Sequence, residues 1–326
     1  MKDTLYTVSS PPSWHNGRSF RGMMWETLLA LAPAALMAVY FYGLDAARVI
    51  GLSCSAAVAT EYLAQRFTGQ ADRPPFINDA NALVIGLLFA FLLPATAPWW
   101  LVLIGVALCI VLGKLIFGGV GGNPLHPALV GWAACTISWP ARMTPDLAVL
   151  QTPLASPLFE LKYYGAAAIA AYTPQDLCLN GQLGGLGAAQ PLALAIGGLY
   201  LILRGRLRPC IPLGVLVGVF LTSGCMHFVA PQEFAPPLFQ ILAGSTVFAI
   251  FFLAPEHASS PSGRWAMPLW GLFAGALIVI IRTYGVYTDG APFAILLAEL
   301  TTPLFDRIRP RAFGKRSSQK QGAAHA

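Results

Sequence analysis

Eight polar side chains stand inside, or at the edge of, long apolar stretches of this 326-residue chain: Asp79, Asn81, Asn123, His126, Glu256, His257, Asp289 and Glu299. Ionisable groups at bilayer depth are costly unless they are paired or functional, so each is a candidate for ion contact, proton relay or ligand binding. Asp79 and Asp289 both precede apolar runs. A carboxylate there either accepts the free N–H groups of a helix's first turn or contacts an ion, and the sequence leaves both roles open. His126, between Pro124 and Pro127, reads as a hydrogen-bonded structural residue ahead of a ligand. Glu299 lies two-thirds along the last apolar run and has no helix start to cap.

Around His126 the stretch Gly118-Gly119-Val120-Gly121-Gly122-Asn123-Pro124-Leu125-His126-Pro127 holds four glycines and two prolines in ten residues. Glycine frees the backbone and proline removes donors, so no ordinary helix forms there. A segment of this kind persists at membrane depth only where it is buried in protein or lines a cavity. It is either part of a site, with Gly121, Gly122, Asn123 and His126 as its polar face, or a glycine-rich turn between two spans.

The elements that must hold these residues are apolar helices. The chain is 56% hydrophobic and only 10% charged, with mean hydropathy +0.63, which marks an all-α polytopic membrane protein in contact with lipid. The net charge of +6 sits in short loops and the C-terminal tail, a topology signal that excludes a nucleic-acid-binding surface. Cys54, Cys109, Cys135, Cys178, Cys210 and Cys225 are scattered, so no zinc or iron–sulfur site is implied. Apolar stretches near 23–42, 46–65, 80–94, 98–117, 127–141, 190–203, 211–229, 238–253, 266–282 and 291–305 give ten candidate spans. Sixteen Lys and Arg fall on one side of them and four on the other (Arg48, Arg142, Lys162 and Arg282), which predicts both termini in the cytoplasm.

A polar loop, 143–189, separates two groups of five. Gly86-Leu87-Leu88 to Pro94 and then Asn123 to Ala128 are echoed by Gly244-Ser245-Thr246 to Pro255 and then Thr288 to Ala294. Either this is chance similarity of Gly/Pro-rich loops, or the halves are inverted repeats with broken helices at matching positions and a site where they meet. The expected organisation is a cytoplasmic segment 1–22, a first repeat 23–142, the external loop 143–189, a second repeat 190–305 and a basic cytoplasmic tail 306–326.

The runs Pro98-Trp99-Trp100, Gly118 to Ala128, Gln151-Thr152-Pro153-Leu154 and Tyr287 to Ala298, in this order from about residue 10 to 316, resemble the RnfD/NqrB family, on its RnfD side. The resemblance implies ten spans in two inverted five-helix halves in a bacterial cytoplasmic membrane. It also implies a subunit of an ion-translocating ferredoxin:NAD oxidoreductase (Rnf-type) complex, with a second FMN-bearing subunit and a flavin transferase among its partners. It further implies FMN joined covalently through a phosphoester to a threonine within Asp-x-x-Ser/Thr-Gly/Gln-Ala-Thr. Asp146 and Thr152 match the ends of that pattern, while Val149, Leu150 and Gln151 depart from it. A non-covalent riboflavin is implied near Asn123, with His126 in place of the family's second asparagine. Ala254-Pro255-Glu256 stands where the family has Thr-Asp-Pro, and Glu299 stands for an asparagine. Reduction of a flavin in a dry site calls for a compensating cation, which makes Asp79, Asp289 and Glu299 the ion-coupling candidates. Two other roles remain: a transporter or channel, and a scaffold subunit without covalent flavin.

Overall fold

The computed structural model describes residues 19–67, 79–144, 154–179 and 181–308. Among the described residues the protein is all-helical apart from an isolated bridge between Ala155 and Gln182. Asp146 and Thr152 lie outside the described residues.

Each of the ten apolar stretches forms helix: α1 (Phe20–Tyr42), α2 (Leu44–Phe67), α3 (Asn81–Leu92), α4 (Trp99–Ile110), α5 (Pro127–Ser138) and, after the short helices α6 (Pro140–Met143), α7 (Pro157–Tyr164) and α8 (Pro174–Leu179), α9 (Pro191–Leu203), α10 (Cys210–Val229), the pair α11 (Pro237–Leu242) and α12 (Thr246–Phe248), α13 (Ala266–Tyr284) and α14 (Ala291–Phe305). Of these, α1, α10 and α13 are long and apolar enough to cross a membrane unaided. Proline starts several of them: Pro127, Pro157, Pro191 and Pro237 open α5, α7, α9 and α11, where the missing N–H has no intrahelical partner to lose. Two helices end in π-helical turns, Val111–Leu115 after α4 and Ala249–Leu253 after α12. Such turns widen a helix locally and concentrate at functional sites.

Packing relies on small residues, as it must where lipid supplies no hydrophobic drive. Gly214 and Gly218 of α10 face Gly271 and Gly275 of α13. A Cβ at Gly218 would clash with the Leu272 carbonyl, and one at Gly275 with that of Val215. The two halves touch through antiparallel pairs. On α1 and α9, Glu26 pairs with Arg204 (2.9 Å) and Arg206, while a Cβ at Gly197 would meet the Ala30 carbonyl. On α5 and α14, His126 meets Glu299 while Trp132 meets Phe293, so one helix ascends as the other descends. Large apolar side chains such as Leu36, Tyr40, Ile196 and Phe220 point outward, a surface suited to lipid.

One expectation about the breaks is corrected. Gly86 lies inside an unbroken α3, pressed against Ala57 and Ser53 of α2, with its carbonyl accepting from Ser53 Oγ at 2.6 Å. Its sequence echo, Gly244 (φ +64°), does interrupt the chain between α11 and α12. At this pair of positions the helices are therefore not broken alike: α3 gets its close approach from a helical glycine, whereas at Gly244 the backbone turns left-handed.

Candidate functional site

The break at Ala243-Gly244-Ser245 is buried, so its main-chain groups need protein partners. Gln182, from the loop before α9, donates to the Leu242 carbonyl at 2.8 Å and accepts from Gly244 N at 2.9 Å. Arg282, buried near the end of α13, donates to the carbonyls of Gln240 (2.9 Å) and Ala243 (3.2 Å), to Thr246 Oγ1 (2.8 Å) and to Asp289 Oδ1 (3.0 Å). Asp289 accepts in turn from Ser245 N at 2.7 Å and from Ala291 N, the first residue of α14, at 3.2 Å. Of the two roles open to Asp289, helix capping is thus filled, alongside a pairing with Arg282. Burial raises the Asp289 carboxyl, but the guanidinium and the Ser245 amide outweigh it and hold the group below its ordinary range.

Beside this break lies a cavity of about 290 Å³, whose lining includes the aromatic residues Trp132, Phe159, Tyr163 and Tyr287 and the polar residues Ser245 and Asp289. Tyr287 stacks on Phe293 at 4.6 Å, and Phe293 sits 4.6 Å from Trp132, so α5 and α14 share the wall. Ser245 Oγ is buried without a partner among the described residues. Thr144 lines the same cavity and is the last described residue before the stretch that carries Asp146 and Thr152.

The opposite end of the α5–α14 contact holds Asn123. Gly118, Gly119 and Gly121 adopt φ of +95°, +98° and +85°, and Gly118, Gly121 and Gly122 are exposed, so the glycine run itself is a surface turn. The Gly122 N–H is already bonded to the Gly119 carbonyl at 3.3 Å. Past the turn the chain dives inward. Asn123 Nδ2 donates to the Leu125 carbonyl (3.1 Å) and to Glu256 Oε1 (3.0 Å). Ser259 Oγ lies 3.0 Å from Glu256 Oε2 and 2.8 Å from Glu299 Oε1, and the His126 N–H donates to Glu299 Oε2 at 2.8 Å. His126 Nδ1 is buried with no partner among the described residues. Three adjoining recesses of about 150, 540 and 100 Å³ open beside this network, and all three share Met23 and His257.

Of the residues singled out in the sequence, Asn123, His126, Glu256 and Glu299 come together, and Asn81 and His257 line the adjoining recesses. Asp289 belongs to the other end. Asp79 is half-buried and does not cap α3; that position is taken by Ala80, held left-handed at φ 57°.

Other polar groups do not stand out in the sequence. Ser259 bridges the two glutamates, and Gln182 and Arg282 satisfy the break. Lys114, one of the sixteen basic residues counted for topology and placed at a span end, is buried and bonds Glu61 of α2 at 2.6 Å inside the first half. Its signal was present: a lysine in the π-helical turn that prolongs an apolar helix needs a counter-charge at similar depth, and Glu61 is the acidic residue inside the neighbouring span.

Residues 7–314 match the model of the NQR2, RnfD, RnfE family. The chain is 34% identical over 328 residues, 99% of its length and 100% of the relative's, to a protein of Acetobacterium woodii named as the D subunit of a Na(+)-translocating ferredoxin:NAD(+) oxidoreductase complex. It is 31% identical over 350 residues to the D subunit of the ion-translocating oxidoreductase complex of Cronobacter sakazakii, covering 96% of this chain and 100% of the other. The corresponding protein of Pectobacterium carotovorum is 30% identical over 355 residues, with 95% and 99% covered.

Proposed function

The chain belongs to the NQR2, RnfD, RnfE family, and from that premise we propose that it is the flavin-carrying membrane subunit of a complex coupling electron transfer between ferredoxin and NAD to ion movement. Its place in an ion-translocating oxidoreductase rests on relatives of that name matched over nearly the whole chain. Ten crossings in two inverted halves are part of this reading, supported by the antiparallel pairing of α1 with α9 and of α5 with α14, the geometry expected when five-helix units face opposite ways. The Asn123 end faces the cytoplasm in this reading, because Arg206 and Arg208 gather there.

The observation that carries the flavin assignment is the aromatic cavity at the Asp289 end. At about 290 Å³ it lies at the lower edge of the roughly 300–1,000 Å³ of small-molecule sites. Thr152, in the segment that continues from the cavity wall at Thr144, supplies the hydroxyl for the FMN phosphoester, with Asp146 read by the transferase. Trp132 and Tyr287 would supply aromatic contacts to the ring, and the Ser245 hydroxyl, unpartnered among the described residues, would offer it a hydrogen bond. Bound flavin supplies reversible electron uptake. At the Asn123 end the adjoining recesses would hold the second, non-covalent riboflavin, with Asn81, Asn123 and the main chain of exposed Gly121 as its polar contacts. Charge compensation falls to Glu299 and Asp79 near that end, since Asp289 is already neutralised by Arg282.

Deleting the chain from its native host is expected to abolish ferredoxin-dependent NAD reduction by washed membranes. An unchanged rate, together with solute flux through the purified chain, would favour a permeation role instead.

A further inference from the structure

The hydroxyl of Ser259 carries one hydrogen, yet it stands within hydrogen-bond distance of carboxylate oxygens on two different glutamates, 2.8 Å from Glu299 and 3.0 Å from Glu256. One of the two contacts therefore brings oxygen lone pairs together unless a carboxyl group carries a proton of its own. The other carboxylate oxygens are accounted for: Asn123 donates to Glu256 Oε1 and His126 N–H to Glu299 Oε2. A single added proton completes the set. Protonated Glu299 Oε1 donates to Ser259 Oγ, the Ser259 hydrogen goes to Glu256, and all four oxygens are satisfied with one negative charge left. Glu299 is the natural holder, being 1% exposed, since a buried carboxylate without a full set of donors is costly.

A second observation points to an occupant at the same place. His126, 2% exposed, leaves Nδ1 without a partner among the described residues and lines the recess of about 100 Å³ that also reaches Glu256. Glu256 lines the same recess, so the glutamate pair is open to water-sized species on the His126 side. The titratable and charged groups facing the pair are His126 from the start of α5, Glu256 and His257 from the segment after α12, Lys114 from the π-helical turn after α4, and Arg206 from the loop after α9.

We propose that Glu299 and Glu256, bridged by Ser259, form a binding site for one exchangeable proton at the contact between the two halves, reached from the Asn123 end past His126. Its use in ion coupling rests on the translocase reading above; its existence does not.

Infrared spectra of the purified complex at neutral pH, in H2O and in D2O, test it. The expected result is a protonated-carboxyl C=O band that shifts in D2O and is missing from Glu299→Gln. In Glu256→Gln, removal of the neighbouring negative charge weakens proton binding about tenfold or more, so the band titrates away at lower pH. No such band in the wild type, a band that survives Glu299→Gln, or a titration unmoved in Glu256→Gln would each overturn the proposal. So would loss of the band when sodium chloride replaces potassium chloride at equal ionic strength, which would assign the site to a metal cation. A complex that fails to move ions but keeps the band would count against the translocase reading and leave the proton site standing.

Discussion

Replacing Thr152 by alanine is expected to abolish flavin fluorescence from the unfolded chain on a denaturing gel. A phosphoester needs an oxygen on the protein, and within 145–153 Thr152 alone carries a hydroxyl. Loss should be complete, because removing the attacking oxygen leaves no bond to form. Thr152→Ser restores a hydroxyl at the same position and should restore part or all of the signal. The change removes only a hydroxyl and a methyl group, so assembly of the complex is expected to survive. Fluorescence persisting in Thr152→Ala would remove Thr152 as the anchor and move the search to another hydroxyl.

The second large effect concerns Arg282. Arg282→Met should destabilise the protein by about 3–5 kcal/mol, the range seen when one partner of a buried ion pair is removed. Methionine fills a similar volume, so lost packing contributes little. What remains is a partly buried Asp289 without its cation, and the Gln240 and Ala243 carbonyls and Thr246 hydroxyl without their donor. The pH dependence identifies the cause. In the wild type the Asp289 carboxyl is held below its ordinary value, so it contributes stability above the usual carboxylate range that is lost as pH falls through the lowered value. Without Arg282, burial is opposed only by the Ser245 and Ala291 N–H groups, and the carboxyl rises. The variant's deficit should then shrink on acidification, as protonation removes the stranded charge. Thermal unfolding in detergent at several pH values reads this directly; a deficit that stays constant with pH would show that packing, not the charge, carries the loss.

Much of this architecture was legible in the residues. Apolar runs of the right length became helices because nothing in them competes with helix, and proline placed at their starts fixed several boundaries within a residue or two. Asn123, His126 and Glu299, separated by up to 176 positions, stand out individually as polar groups in apolar surroundings. That they meet at one point was not readable, because it depends on α5 and α14 passing antiparallel. The glycine run draws attention for its composition, yet its glycines face outward, and the buried break lies instead at Gly244. Gly244 is marked in the sequence only by its echo of Gly86, which itself stays helical. Its significance comes from the partners that reach it from afar, Gln182 by 62 positions and Arg282 by 39. Lys114 and Arg282 were hidden for a related reason. Counted along the chain, a basic residue at a span end reads as topology, and only packing reveals that its charge is turned inward against Glu61 or Asp289.

A flavin borne by this chain is the central claim. Its most direct test is the intact mass of the chain isolated with its complex from native membranes, followed by mapping of the modified peptide. The predicted result is a mass heavier than the sequence by one FMN less one water, with the increment on the peptide that contains Thr152; a chain of unmodified mass would contradict it.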